Sequence, residues 1–275
     1  EQVLLDTPPR LLYSDKNIDI PYFFMWDNGS WKRTWSNVKF SNSWAPLYEN
    51  NNGGPEILAK LDYGRESEWK KHFEYLLPFF KDERYICIDG KPLFGIFNQD
   101  NEPNTLKKMF KYWDKLAKEN GLKGIAILGR SNLSNIVVGE YQFDYEPCTH
   151  GWLGKNKMKR ILHKVRDSIR LELGMLKKYK YSTIWKRIIN DISDDENYFP
   201  GAFVKYDDTP RRGKNSSIVI GDNEHSFEKN MKDLLKKSSE KNKEYVFLTA
   251  WNEWGEGAYL EPDTKSKYKY LEAFS

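Results

Sequence analysis

Cysteine and histidine are scarce in this 275-residue chain, and their scarcity excludes two classes of protein. The only cysteines are Cys87 and Cys148, and there are four histidines. Two cysteines are too few for a disulfide framework, and their spacing to the histidines matches no zinc-binding pattern. The sequence therefore predicts no structural metal and no cofactor.

Long apolar runs and targeting signals are also missing. No apolar stretch approaches the roughly 18 to 20 residues that a membrane-spanning helix requires. Residues 1–6 contain no basic region followed by an apolar segment, so no targeting segment is visible. We expect a protein that is cytoplasmic or peripheral to a membrane. Because the chain starts with Glu1 rather than methionine, we expect it to begin within a longer gene product.

The motifs of several common protein classes are absent. There is no glycine-rich loop that would cradle a phosphate and no candidate Ser-His-Asp triad. No Asp-x-Asp pair follows a predicted strand, as a metal-dependent nucleotide-sugar transferase would require. No basic and aromatic module of the kind that binds nucleic acid is present, so we expect no nucleic-acid partner.

Aromatic residues, in contrast, are abundant. Phe, Trp and Tyr make up 15% of the chain, which contains ten Trp. Most aromatic side chains of a folded protein belong to its core. Two groups differ because they cluster where apolar strands end: Trp26, Trp31 and Trp35 lie within ten residues, and Trp251 and Trp254 lie within four. Indole rings at such positions offer flat apolar faces to a sugar ring.

The most informative segment is an apolar strand, residues 246–250, that runs directly into Trp-Asn-Glu-Trp-Gly-Glu-Gly at residues 251–257. Glu253 and Glu256 are three residues apart, a spacing that is common in solvated surface segments. Here the pair follows a strand, and Gly255 and Gly257 allow the backbone to turn so that both carboxylates face one cavity. Paired carboxylates beside indole rings are typical of sites that cleave glycosidic bonds.

The remaining pattern predicts an α/β fold in which strands alternate with helices. One helix carries apolar side chains at positions 69, 73, 76, 77 and 80, another begins at Asn104 or Thr105, and a third is capped by Ser226. We predict a single (β/α)8 TIM-type barrel domain over residues 1–275 that lacks its first two strands, since only six strands are found; an α/β fold with fewer strands is the alternative. The predicted strands are 18–26, 92–97, 125–129, a short one ending at 143–147, 201–206 and 246–250.

A basic helical insertion is predicted at about residues 152–198. Residues 155–190 contain twelve basic and two acidic side chains, so the rest of the chain carries a net charge of −6. A helical apolar stripe runs through the segment. The favoured interpretation is a helix that covers the barrel and exposes its basic face; contact with an anionic membrane or glycolipid is the alternative. The stripe consists of Met158, Ile161, Leu162, Val165, Ile169, Leu173 and Leu176.

Four ordered segments together resemble the glycoside hydrolase family 99-like proteins, in particular the WbsX-type branch found among polysaccharide-assembly genes. The first is the Glu253 and Glu256 motif with the following residues 258–263. The others are the Trp-rich loop of residues 21–35, residues 76–80 with 89–93, and residues 200–203 with 208–213. The resemblance implies a TIM-type barrel and an oligo- or polysaccharide substrate.

The resemblance also implies a retaining mechanism. It assigns Glu253 as the base that acts on the sugar's own 2-hydroxyl to give a 1,2-anhydro intermediate, and Glu256 as the acid that protonates the leaving oxygen. For Arg211 and Arg212, a structural bridge to Asp207 or Asp208 is an equal alternative to substrate contact, and Glu146 is similarly open. The predicted substrate-binding residues are Trp26, Asn28, Trp31, Arg33, Glu146, Asp208, Arg211, Arg212, Trp251, Asn252, Trp254 and Tyr259.

Three functions remain open at this stage. The first is a retaining glycoside hydrolase, and the second is a glycosyl-transfer enzyme of lipopolysaccharide, capsule or O-antigen assembly that uses the same two carboxylates. The third is a glycan-binding scaffold without catalysis.

Overall fold

Helices and strands alternate along the chain in the computed structural model, which describes residues 3–32, 57–131, 136–152, 157–173, 175–212 and 216–275. The helices are α1 (Val3–Ser14), α2 (Glu66–Phe80), α3 (Pro103–Glu119), α4 (Lys157–Glu172), α5 (Tyr181–Asn190), α6 (Thr209–Arg212), α7 (Glu224–Glu240) and α8 (Lys269–Glu272). The strands are β1 (Phe24–Trp26), β2 (Trp31–Lys32), β3 (Ile57–Ala59), β4 (Cys87–Ile88), β5 (Lys91–Ile96), β6 (Ala126–Arg130), β7 (Tyr141–Phe143), β8 (Lys177–Lys180), β9 (Tyr198–Phe199), β10 (Gly201–Phe203), β11 (Ser217–Ile220), β12 (Phe247–Thr249), β13 (Asn252–Glu253) and β14 (Ala258–Tyr259).

The described residues form two compact units. Unit 1 contains those within Glu1–Gly29 and Leu61–Tyr141, and unit 2 contains those within Ser30–Lys60 and Gln142–Ser275. Each unit has its own buried core.

Unit 1 is built on three parallel strands. Strand β5 lies between β1 and β6, with Phe24 opposite Phe94 and Leu93 opposite Ala126. Strand β4 runs antiparallel to β5. Strand β5 is buried along most of its length, as expected for a strand covered on both faces. The predicted strands at 18–26, 92–97 and 125–129 are therefore confirmed, the first one only over its last three residues.

Aromatic side chains fill the core of unit 1. The predicted helical face of α2 is buried at Trp69, Phe73 and Leu76. Trp113 of α3 is fully buried, donates its indole N–H to the carbonyl of Trp69 at 2.9 Å, and meets Phe94 with ring centroids 5.2 Å apart. These contacts attach both helices to the central strand β5.

Unit 2 contains two pairs of parallel strands that bear on the site. Strand β7 pairs with β9, and β10 pairs with β12. The predicted strands ending near 143, at 201–206 and at 246–250 are confirmed as β7, β10 and β12. Strand β11 pairs in parallel with β8 in a separate two-stranded sheet.

The core of unit 2 lies beneath β10. Trp185 of α5 is fully buried and stacks on Phe203, the last residue of β10, with ring centroids 5.5 Å apart. Phe227 of α7 packs against the same indole ring. Helix α7 begins after Asn223, whose side chain accepts the N–H of Ser226 at 2.8 Å. Ser226 is thus the third helical residue rather than the cap that the sequence predicted, because Asn223 has the extended backbone of a cap.

Helix α4 presents its apolar stripe to solvent. Ile161, Leu162, Val165, Ile169 and Leu173 are 51–68% exposed. The favoured sequence interpretation, in which this stripe covers the fold and the basic face is solvated, is therefore wrong for these side chains. The following helix α5 behaves differently, since Tyr181, Ile184, Trp185 and Ile188 are buried.

The observed class is α/β with parallel strands. Closure into an eight-stranded barrel, and the single-domain organisation predicted from the sequence, stay predictions. Within the described ranges, the longest apolar helical stretches are too short or too polar to traverse a lipid bilayer.

The aromatic core of unit 1 makes a pH-dependent prediction at His72. This side chain meets the rings of Trp26 and Trp113 at centroid distances of 5.2 and 4.9 Å, and burial lowers its pKa from the usual 6.5 to about 4. Between these values the unfolded chain binds the proton that the folded protein resists. Neutral His72 therefore contributes fully to the free energy of unfolding above about pH 6.5. As the pH falls toward 4, this free energy decreases by at most about 3 kcal/mol.

Urea unfolding followed from pH 7 to pH 4 measures this effect. The variant His72→Phe, which cannot be protonated, should lose less stability over that range than the wild-type protein. Equal losses in both proteins would show that His72 does not cause the acid sensitivity.

Candidate functional site

The candidate site rests on the neighbouring parallel strands β10 and β12. Phe203 lies opposite Thr249 where both strands end, and the N–H of Val204 donates to the carbonyl of Thr249 at 3.2 Å. Because the strands are parallel, the segments that follow them, residues 204–212 and 250–260, emerge at the same edge. Ligands of parallel α/β sheets bind at this carboxyl edge.

Residues 250–260 form a tight hairpin. Strands β13 and β14 are antiparallel, with Glu253 opposite the buried Ala258, and a 3₁₀ turn at Trp254–Glu256 connects them. The backbone of Ala250 donates to Ala258 at 3.2 Å and accepts from Leu260 at 2.9 Å. These bonds place the two glutamates on one short, closed loop.

Gly257 joins this hairpin to the segment after β10. Its φ of +59° lies in the left-handed region, and a Cβ atom added there would be 2.9 Å from the carbonyl oxygen of Asp207. The N–H of Asp207 donates to the carbonyl of Glu256 at 2.8 Å. Only glycine combines that backbone conformation with so close an approach.

Asp208 organises the segment that carries the two arginines. Its buried carboxylate accepts the N–H of Ser217 at 2.6 Å and the hydroxyl of Tyr206 at 3.3 Å, and it pairs with Nε of Arg212 at 3.1 Å. Its carbonyl also accepts the backbone N–H groups of Arg211 and Arg212, which starts the short helix α6. The alternative of a structural bridge between Arg212 and Asp208 is thus observed, whereas a direct sugar contact of Asp208 stays a prediction.

The carboxyl group of Glu256 is largely buried in the hairpin, and its pKa is shifted. Its side chain is only 13% exposed, and its Oε1 lies 3.4 Å from Nη1 of Arg211 and 4.0 Å from Nη2 of Arg212. Its Oε2 is buried and has no hydrogen-bond partner among the described residues. Burial raises the pKa of Glu256, the nearby Glu253 adds to the rise, and the two guanidinium groups oppose it.

Glu253 and Arg211 lie beside Gly255. A Cβ atom added to Gly255 would be 3.0 Å from Oε1 of Glu253 and 3.8 Å from both Cδ and Nη1 of Arg211. Since Nη1 of Arg211 also faces Glu256, this guanidinium group is near both carboxylates. The structure therefore places Arg211 and Arg212 beside Glu256, with Glu253 near enough to act on Glu256 electrostatically, whereas a cavity shared by the two glutamates stays a prediction.

Two indole rings flank the glutamates in sequence and are about half exposed, Trp251 at 52% and Trp254 at 50%. Trp254 stacks on Tyr259 with ring centroids 3.8 Å apart, and its Nε1 donates to Glu261 at 2.7 Å. Nζ of Lys205 lies 3.7 Å from the centroid of the Tyr259 ring, and both neighbours fit only on opposite faces. Tyr259 thus holds Trp254 in place, and both faces of the Tyr259 ring are occupied.

An open cleft of about 920 Å³ adjoins the hairpin on the side of Trp254, Gly257 and Tyr259. Lys205 and Asp263 also line it, and Nζ of Lys205 pairs with Asp263 at 2.9 Å. Neither Glu253 nor Glu256 lines this cleft.

Glu146, predicted to bind substrate, is completely buried in the loop after β7. Its carboxylate accepts the N–H groups of His150 and Gly151 at 3.0 Å and contacts Nδ1 of His150 at 2.9 Å. These bonds account for both oxygens, so the observed role of Glu146 is to hold its own loop.

Asp144, Glu146 and His150 are also the described residues that could hold a cation. Their ligand atoms all lie within 4.8 Å of one another, and all three are buried. Asp144 and Glu146 both contact Nδ1 of His150, at 3.3 and 2.9 Å. The donors are thus already bonded to each other, and the sequence prediction of no metal stays a prediction.

The other predicted sugar-binding residues have different environments. In unit 1, Asn28 is fully buried, and its amide donates to Tyr63 and to the carbonyl of Asn98 and accepts the N–H of Asn98, at 2.7–2.8 Å. Asn28 was predicted to bind substrate, but its amide is bonded within the protein and holds two loops together. Trp26, also in unit 1, is half-buried edge-on to Tyr63.

Three predicted substrate-binding residues remain to be described. In unit 2, Trp31 is half exposed and pairs with Ala59 in the hairpin of β2 and β3, and Asn252 is exposed on β13 opposite Tyr259. Arg33 lies outside the described residues. Tyr206 is a site residue that sequence reasoning missed, because only the fold brings its hydroxyl to Asp208.

Comparison with known proteins establishes the family. Residues 1–274 match the sequence model of the family described as Glycosyltransferase WbsX. The chain belongs to this WbsX family, a family of carbohydrate-active enzymes, and the resemblance found in its motifs is confirmed.

Two relatives named WxcX, from two strains of Xanthomonas campestris pathovar campestris, are 20% and 19% identical to this chain over 287 positions. The alignments cover 99% of this chain and 36% of each relative. The chain thus spans about a third of the length of the curated relatives it matches.

The chain is also similar to solved structures, at lower sequence identity. Two structures of the GH99 endo-alpha-mannosidase from Bacteroides thetaiotaomicron are 16% and 18% identical, with TM-scores of 0.43 and 0.44. Each alignment covers 77% of this chain, and 65% and 62% of those chains. A glycoside hydrolase-like protein is 15% identical, with a TM-score of 0.46 over 76% of this chain and 61% of its own.

The contact between Arg211 and Glu256 leads to a prediction about proton affinity. Replacing Arg211 by Met removes the largest influence that lowers the pKa of Glu256, so this pKa should rise further. Carbon-13 NMR titration of the glutamate carboxyl groups measures the value, with Glu256→Gln identifying the signal. Lys229→Met removes the same charge from α7, where Lys229 pairs with Asp233, and should leave the titration unchanged. An unchanged or lower pKa of Glu256 in Arg211→Met would contradict the inference that the charge of Arg211 lowers this pKa.

Proposed function

We propose that the segments after β10 and β12 form a glycoside-processing active site in which Glu256 is the proton donor and Glu253 is the base. The observation that carries this proposal is the state of Glu256. Its carboxyl group is buried, one oxygen has no hydrogen-bond partner among the described residues, and its pKa is raised. A raised pKa favours the protonated form, which is the form that a general acid requires.

The two oxygens of Glu256 support a division of labour. Oε1 faces Arg211 and Arg212, which favour negative charge. Oε2 is desolvated and unpaired, and burying a charged oxygen in this way costs more than burying a hydroxyl that can donate to a substrate. We therefore assign the transferable proton to Oε2.

Glu253 lies on strand β13, and its Oε1 is beside Gly255. By its resemblance to endo-mannosidases, Glu253 takes the proton of the sugar 2-hydroxyl while Glu256 gives its proton to the leaving oxygen. The 2-oxygen bonds to C1 as the bond from C1 to the leaving oxygen breaks. In the second step water attacks C1 as the bond from C1 to the 2-oxygen breaks; Glu256 accepts a proton from the water, Glu253 returns its proton to the 2-oxygen, and the configuration is retained.

The substrate that fits this site is an oligo- or polysaccharide. The half-exposed rings of Trp251 and Trp254 can stack on pyranose faces, and Tyr259 keeps the Trp254 ring in position. Arg211 and Arg212 can bind hydroxyls or an anionic substituent, since Arg212 keeps half of its side chain exposed despite its bond to Asp208.

The (β/α)8 barrel architecture is part of the same proposal. Carboxylates that follow the carboxyl ends of parallel strands are expected in a (β/α)8 barrel, where the active site is built from these segments. We infer that β10 and β12 are barrel strands of one catalytic domain.

Glycosyl transfer is a second candidate, favoured by the description of the family as a glycosyltransferase. The first step would be unchanged, and an acceptor hydroxyl would replace water in the second step. A scaffold that only binds glycans would keep the aromatic platform and would not need the raised pKa of Glu256.

The two glutamates should differ in their dependence on the leaving group. Glu256→Gln should slow cleavage of an ordinary glycosidic bond by about 10²- to 10⁴-fold, the usual contribution of a general acid. It should slow cleavage of a nitrophenyl glycoside much less, because nitrophenolate leaves without protonation. Glu253→Gln should impair both substrates. Initial rates on a matched pair of substrates measure the effect.

The matched control is Glu228→Gln, which neutralises a carboxylate on α7 that pairs with Lys232. It should retain wild-type rates on both substrates. Wild-type rates in Glu256→Gln, or an equal loss on both leaving groups, would remove Glu256 from the acid role.

The products distinguish the candidate functions. We expect the whole protein, incubated with α-linked mannans, rhamnans and capsular polysaccharides, to release free reducing sugar without an added acceptor. Product formation that requires an added acceptor sugar would instead assign the site to transfer. Unchanged oligosaccharide affinity without turnover, in the wild-type protein and in the double variant Glu253→Gln, Glu256→Gln, would indicate a scaffold.

A further inference from the structure

Helix α4 turns large aliphatic side chains toward solvent, the reverse of an ordinary surface helix. The outward side chains are large and aliphatic; two are adjacent, the others follow at intervals of three or four residues, and the last one directly follows the helix. They are Ile161, Leu162, Val165, Ile169 and Leu173, and we refer to them as the outer stripe of α4. Isolated exposed leucines are common, but a continuous stripe of five is a surface that binds something.

The opposite side of α4 is held by polar residues. Asp167 and Arg170 both act electrostatically on Tyr179, a buried residue of β8. Oδ1 of Asp167 and Nη1 of Arg170 are themselves buried. Because two charged residues face the protein, turning the helix to bury its outer stripe would require exchanging these contacts. The outward orientation is therefore set by the helix itself.

The basic residues in and after α4 indicate what kind of surface covers the outer stripe of α4. The sequence of α4 contains six Lys or Arg residues against Asp167 and Glu172, and Lys177, Lys178 and Lys180 follow it closely. An apolar stripe on a helix this basic is the pattern of helices that lie in the surface of an anionic membrane. A second copy of the chain would bring two such helices together, and their like charges would repel each other.

We propose that α4 docks on an anionic lipid surface, with its outer stripe in the acyl boundary and its basic residues among the headgroups. The surface is separate from the candidate active site and does not rest on the proposed function. Docking of α4 would hold a glycan-processing chain at a membrane, although no helix among the described residues could span one.

Vesicle co-sedimentation of the whole protein tests the proposal. We expect binding to vesicles that contain equal parts of phosphatidylglycerol and phosphatidylcholine, and little binding to pure phosphatidylcholine. About 0.5 M salt should weaken the binding, because it screens the charge interaction.

Three variants separate the outer stripe from general surface effects. Leu162→Gln with Leu173→Gln removes two exposed side chains and should weaken anionic-vesicle binding by about tenfold or more. Leu235→Gln makes the same change at an exposed leucine of α7, another lysine-rich helix, and should have no effect. Glu172→Gln removes an exposed negative charge from α4 and should strengthen binding to the anionic vesicles but not to pure phosphatidylcholine.

Several results would overturn the proposal. Equal binding of the wild-type protein to both vesicle types would exclude recognition of anionic lipid. Binding that survives the double leucine change, or that Leu235→Gln weakens as much, would exclude the outer stripe. A wild-type dimer, detected by sedimentation, that dissociates in the double variant would assign the stripe to a second copy instead.

Discussion

One backbone hydrogen bond holds the candidate site together, the bond from the N–H of Asp207 to the carbonyl of Glu256 at 2.8 Å. It forms because Gly257 lets the hairpin after β12 approach the segment after β10. From that point Asp208 orients Arg212 and begins the helical turn that carries Arg211. Both guanidinium groups then reach Glu256, so the electrostatic environment of the glutamate depends on this contact between two loops.

The environment of Glu256 balances opposing influences. Burial and the charge of Glu253 favour the protonated form, whereas Arg211 and Arg212 favour the ionised form. A carboxyl group in such a balance can both release and accept a proton, as the two steps of a retaining reaction require. Nearby Tyr259, clamped between Trp254 and Lys205, keeps an apolar ring at the edge of this polar cluster.

Much of this arrangement follows from local sequence patterns, and the rest depends on the fold. The strand before Glu253 and the buried face of α2 were predictable because strand runs and helical periodicity are local. The roles of Asn28 and Glu146 were not, since their partners become visible only once the loops are folded. The orientation of α4 was missed for a similar reason: periodicity identifies an apolar stripe but not the side on which the protein lies.

The position of a bound substrate tests the central claim most directly. A crystal structure of the Glu253→Gln protein with an oligosaccharide should place a glycosidic oxygen within hydrogen-bonding distance of Oε2 of Glu256, with a sugar ring against Trp254. A sugar bound elsewhere, with Oε2 of Glu256 still buried and out of its reach, would contradict the account.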